Sequence, residues 1–173
     1  KIIEGRGEGR KPLLAEASGK AVVAGVTLKG RADRIELLPD GSIGIVDYKT
    51  CSAPSNRQVG DGFALQLGLI GLIAQAGGFD DLKRAAIASA FEYWSLSRDT
   101  KTRAFGKVSS PVTGKKPVCP PEDFVAKMQT EFESAAARWL TGDEPFKAKL
   151  HPDYAYGGYD QLKRLEEWQG RDG

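Results

Sequence analysis

The run GRADRIELLPDGSIGIVDYKT, residues 30–50, constrains this chain more than any other stretch. Pro39-Asp40-Gly41 supplies the chemistry of a three-residue hairpin loop: proline with its preset φ, a turn-favouring aspartate, and glycine for the left-handed position. With that loop Leu38 meets Ser42, Ile35 faces Ile45, Leu37 faces Ile43, and Asp33 falls opposite Asp47. Side chains alternate across a strand, so Asp33, Asp47 and Lys49 share a face with the isoleucines. A two-residue loop would move Asp33 to the other face. The turn residues and the charge cluster therefore support one register.

Two carboxylates facing each other repel. At ~5 Å and an effective dielectric of ~20 the cost is roughly 3 kcal/mol. A divalent cation between them reverses the sign. Oxygen donors alone, completed by a backbone carbonyl and water, suit Mg²⁺ or Mn²⁺. Lys49, two residues beyond Asp47, can hold an attacking water or stabilise negative charge developing on a phosphate. The same three residues could also form a solvated salt-bridge cluster at a strand end. Spacing alone leaves both readings open.

The rest of the 173 residues reads as one domain. Residues 1–11 form a polar, Gly-rich lead-in, 12–142 the core, and 143–173 a tail packed on it. Because the chain starts at Lys1 and its single methionine is Met128, it reads as part of a longer protein. KAVVAGVTL is expected as a strand with Gly25 as a bulge or bend, and 51–60 as a loop. Residues 61–76 read as a buried helix, apolar nearly all round and stopped by Gly77 and Gly78. A strand over 85–97 and an amphipathic helix over 121–141 follow, the latter with Phe124, Met128, Phe132 and Ala135 as its apolar stripe. YDQLKRLEEW in the tail reads as a short helix. The fold expected is α/β, a mixed sheet of four or five strands flanked by the two long helices.

The net charge is only +2, so any nucleic-acid surface must be local. Residues 98–117 hold Arg98, Lys101, Arg103, Lys107, Lys115 and Lys116 against Asp99 alone, an excess of five positive charges. Either a solvated loop or a DNA-contacting segment fits. Arg31, Arg34 and Arg57 are further candidate DNA contacts near the hairpin and the loop after it. Two cysteines, Cys51 and Cys119, cannot supply a four-cysteine zinc or iron–sulfur site. They suggest no disulfide scaffold, so a reducing, cytoplasmic setting is expected. The apolar stretch 63–79 is too short and too polar for a membrane span.

The combination GRADRIE, IVDYKT and LQLGL resembles the PD-(D/E)XK nuclease superfamily in its RecB-like branch, a restriction-endonuclease-like fold. The longer run from DYKT through PSNRQVGDGFALQL and GGF to FEYWSLS is similar to the C-terminal nuclease domain of AddB-type proteins, with a tail of the alphaproteobacterial type. These are subunits of the AddAB helicase–nuclease, which processes double-strand breaks. The resemblance covers about residues 16–170. It implies Asp33 and Asp47 as metal ligands, the Tyr48 carbonyl as a third, Lys49 as the catalytic lysine, and Gln66 as a residue positioning the metal shell or the DNA. It further implies Mg²⁺ as cofactor, and as partners DNA, an AddA-type subunit and an N-terminal part of the same chain. Gln66 is also unusual by itself: an amide on a buried apolar helix needs a partner.

Three residues depart from the branch's pattern. Its helix histidine has no counterpart before the first strand, since His151 is the only one. Ile70 stands where a tyrosine is common, and Cys51 where a glycine is. Glu16, entering the first strand, is a lesser site candidate; an exposed edge-strand acid is the alternative. The rival to a nuclease is a nuclease-like module that binds DNA or docks a subunit without catalysis. A small-molecule α/β domain would need a Gly-rich phosphate loop, and none follows a strand.

Overall fold

The computed structural model describes residues 9–50, 52–82, 86–98 and 105–145. Contacts along the chain separate Lys1–Asp143 from Glu144–Gly173, and the fold below belongs to the first part. The tail helix expected from YDQLKRLEEW lies outside the described residues. So do Lys101, Arg103 and Cys51.

The strands β1 (Lys11–Val23), β2 (Val26–Leu37), β3 (Ile43–Lys49), β4 (Ala88–Arg98) and β5 (Phe105–Ser109) form one sheet in the order β1-β2-β3-β4-β5. Every neighbouring pair is antiparallel except β3–β4, which is parallel. The crossover between β3 and β4 carries α1 (Asn56–Gly60) and α2 (Gln66–Gln75); α3 (Pro121–Ala135) follows β5 and ends in one π-helical turn, Ala136–Leu140. This is the mixed sheet flanked by helices of a restriction-endonuclease-like α/β fold, as the sequence led us to expect.

The hairpin forms in the expected register. Leu37 pairs with Ile43 and Ile35 with Ile45. The Leu38 amide donates to Ser42 at 2.9 Å, closing the loop, and Gly41 takes φ +84°. Asp40 fixes the turn by accepting from the Ser42 amide and hydroxyl, and those bonds hold its carboxyl below the usual range.

Three expectations need correction. KAVVAGVTL is not one bulged strand but the end of β1, a two-residue turn and the start of β2, with Val23 paired to Val26. Ala24 and Gly25 have φ of +51° and +75°, the twist a tight hairpin requires. Residues 51–60 are not all loop: Ser55 and Gln58 make a reciprocal capping box that starts α1. The long helix begins at Gln66 rather than 61, because Gly62 at φ +75° stops the chain between α1 and α2.

Helix α2 is apolar on nearly every side because it is covered on nearly every side. Ile70 and Ile73 lie against Gly30 of β2, while Gly68 and Gly71 admit Met128 and Val125 of α3. Phe124 of α3 stacks on Phe91 of β4 with ring centroids 4.6 Å apart, so both long helices serve the same sheet face. The helix ends where Gly78 touches β1. The Gly78 carbonyl accepts the Lys20 amide at 2.9 Å, and a methyl group there would overlap the Lys20 carbonyl oxygen. That obstacle is backbone and cannot swing aside. Gly78→Ala is expected to destabilise the fold by about 2–4 kcal/mol, from overpacking and the lost hydrogen bond; urea unfolding measures it.

Candidate active site

The face of β3 that carries Ile43 and Ile45 ends in Asp47 and Lys49. The β2–β3 ladder runs only to the pair Arg34–Val46. Beyond it Asp33 is not a ladder partner of Asp47. Its carboxylate instead accepts the Tyr48 amide at 2.9 Å. The N–H and C=O of one strand residue emerge on the same edge, so the Tyr48 carbonyl also faces the gap left by the ended ladder.

Asp47 is 4% exposed. Lys49 Nζ lies 2.7 Å from its Oδ2 and donates to Gln66 Oε1 at 3.2 Å. Gln66 thereby reaches Asp47 through the lysine it accepts from. Burial pushes the Asp47 carboxyl above its ordinary range, and the charge of Asp33 adds to that; Lys49 and Gln66 oppose both without cancelling them. The four residues Asp33, Asp47, Lys49 and Gln66 are thus brought together from β2, β3 and the first turn of α2. Gln66 is exposed rather than buried, since it heads the helix instead of sitting in its middle. Its place also puts the positive end of α2 at the site, which favours anions there.

The donors toward the gap are all oxygen: two carboxylates from separating strands and a carbonyl. Such a set fits a hard divalent cation. Among the described residues no group of three or more acidic, histidine or cysteine side chains gathers as a metal site, so the carbonyl and water would have to complete the shell. Glu16 does not contribute. It is exposed on β1, with φ +54°, and pairs with Arg31, whose Nε also donates to the Glu16 carbonyl.

The candidate DNA contacts separate. Arg34 is a correction: it lies on the opposite sheet face, bonded to buried Glu36 at 2.7 Å with its guanidinium 5.5 Å from the Trp94 ring. Arg10 joins Glu36 to Glu92 there, and Glu92 accepts the Trp94 indole N–H. Two buried glutamates are in this way compensated by two arginines, behind the active face. Arg31 is held by Glu16, and Arg57 sits on α1 near Asp61. Lys107 is on β5, and Lys115 and Lys116 are exposed on the loop after it.

Tyr93, the β4 neighbour of Asp47, was not anticipated. It is 2% exposed, its ring lies under Lys49 Nζ at 5.7 Å, and among the described residues its hydroxyl has no hydrogen-bond partner. Burial and the Asp47 charge together hold the phenol far above its normal pKa. An unpartnered buried hydroxyl costs about 1–3 kcal/mol. Tyr93→Phe is therefore expected to raise the melting temperature in metal-free buffer, and a drop would show that the hydroxyl is bonded in solution.

No helix among the described residues is long and apolar enough to cross a membrane. No individual curated protein matches the chain. A family model, that of the PD-(D/E)XK nuclease superfamily, matches residues 3–153 and so spans both carboxylate strands, the lysine and the glutamine helix. With aspartate, aspartate and lysine gathered at the end of a parallel–antiparallel strand junction, the chain belongs to the PD-(D/E)XK nuclease superfamily.

Proposed function

We propose that the protein is a metal-dependent deoxyribonuclease domain that hydrolyses backbone phosphodiesters. The observation that carries this reading is the junction of Asp33, Asp47 and Lys49 at the point where β2 leaves β3. Asp33, Asp47 and the Tyr48 carbonyl would hold Mg²⁺ or Mn²⁺, which when bound supplies Lewis acidity toward the phosphodiester. The Lys49 ammonium, held beside Asp47, stabilises the charge that builds on the phosphate as water adds and the P–O bond breaks. The leaving oxygen takes up a proton, so the products are a phosphate monoester and a hydroxyl. Gln66 steers Lys49 through the hydrogen bond it accepts from the ammonium.

The resemblance of DYKT, LQLGL and FEYWSLS to AddB-type nuclease domains supports a finer reading: an exonuclease-type domain in double-strand-break repair and recombination, fed by the motor of an AddA-type partner in the cytoplasm. The direct test incubates the protein with linear, nicked and single-stranded DNA in Mg²⁺, Mn²⁺ or EDTA. Cleavage that requires metal is expected. DNA binding without cleavage in either metal, with or without the partner subunit, would make the chain a docking module instead.

A further inference from the structure

Just past the catalytic lysine lies a cavity of about 400 Å³ that none of the chemistry above uses. Its floor is the end of the sheet. Ser95 is the β4 neighbour of Lys49, Lys107 of β5 pairs with Ser95, and Ser109 pairs with Tyr93. Its opposite wall is the segment 52–56. The cavity therefore opens one strand spacing, about 4.8 Å, from Lys49.

The lining has a marked chemical bias. Ser52, Ser97 and Ser109 present hydroxyls, Asn56 an amide, and Arg98 and Lys107 the charges; among the described residues no carboxylate lines it. Neither Arg98 nor Lys107 makes an ion pair with a described residue. The wall is fixed: Ser55 caps α1, and the Asn56 amide donates to the Lys116 carbonyl at 2.7 Å. The floor is shaped by a register break in β4 between Ser95 and Arg98, with the Ser95 and Ser97 hydroxyls 2.8 Å apart. Hydroxyls gathered with two cations, with no acid among the described lining residues, are a phosphate's complement.

We propose that this cavity is a phosphate-binding subsite. It seats a phosphate of the same nucleic-acid strand whose scissile linkage lies at Lys49, and so sets the distance between a strand's held phosphate and its cut. This rests on the nuclease reading for the position of the cut, though not for the binding. The held phosphate can be an internal diester or a terminal monoester. Both offer the same anionic oxygens.

The test measures binding of short oligonucleotides to the full chain in EDTA, by fluorescence anisotropy, so that no turnover intervenes. Single linkages are replaced in turn by neutral methylphosphonates, and the 5′ and 3′ ends are compared as phosphate and hydroxyl. One position is expected to weaken binding by about tenfold to a hundredfold. In Arg98→Ala/Lys107→Ala, both exposed and neither in the catalytic group, that positional penalty should vanish. A penalty at an internal linkage identifies a passing strand; one confined to an end identifies a terminal phosphate. A flat profile in the wild type, or an unchanged profile in the double variant, overturns the subsite. If the profile appears and metal-dependent cleavage does not, the subsite stands and the nuclease reading falls.

Discussion

Replacing Lys49 by alanine is expected to lower the single-turnover rate of DNA cleavage by about 10²–10³-fold, while DNA affinity changes little. The asymmetry follows from where the ammonium sits. Before substrate arrives it is occupied by Asp47 at 2.7 Å and by Gln66, so it contributes little to holding the ground state. Its gain comes when negative charge develops on the phosphate, and an interaction made mainly then appears in the rate and not in binding. Arginine should not rescue, because its planar fork cannot replace a compact charge lodged over the Tyr93 ring. Rates measured at saturating enzyme, beside affinities measured in Ca²⁺, separate the two quantities. Cleavage near the wild-type rate would remove Lys49 from the chemistry.

Asp47→Asn is expected to have two opposed effects. The folded-state pKa of Asp47 is raised, chiefly by burial. A carboxyl so shifted supports the fold while it is protonated, below its unfolded value, and that support is lost as pH rises through the raised value. At neutral pH without metal the ionised group therefore opposes folding, and the asparagine variant should melt at or above the wild type. The difference should close toward low pH. Metal reverses the order. A cation at one hundred times its dissociation constant would add about 2.7 kcal/mol to the wild type and far less to the variant. Because protons compete for the same oxygen, the wild-type metal response should weaken as pH falls through the Asp47 titration. Melting curves with Mg²⁺ and with EDTA at several pH values test all of this. An undiminished Mg²⁺ shift in Asp47→Asn would place the cation elsewhere.

How much of this was legible in the sequence varies with the range of the interaction. The hairpin was, because turn chemistry and strand alternation are local and agree. Where they end, so does the reading: the ladder stops at Arg34–Val46, and Asp33 turns to the Tyr48 amide, which no periodicity announces. The turn at Ala24-Gly25 was missed because alanine at positive φ is a rare choice, so the segment looked continuous. The helix α1 was missed although its Ser55–Gln58 box could be read, since proline and serine around it suggested loop. Arg34 was misplaced by proximity in sequence. Alternation, applied to it and Glu36 together, puts both behind the sheet. Tyr93 and the serine cavity depend on the parallel β3–β4 pairing, a contact between segments some 45 residues apart that only the assembled fold reveals.

The outer strand β1 carries a consequence for the protein's behaviour at high concentration. A 13-residue sheet border is long enough to recruit a second chain strand by strand, the first step toward a fibril. Here the border is cut into lengths too short to zip. Pro12 offers no amide, and the pairing slips a residue between Pro12 and Leu14. Glu16 turns the backbone left-handed midway. The Lys20 amide is already taken by Gly78. A neighbouring copy meets no uninterrupted template along this border, which works against strand-by-strand association at high concentration.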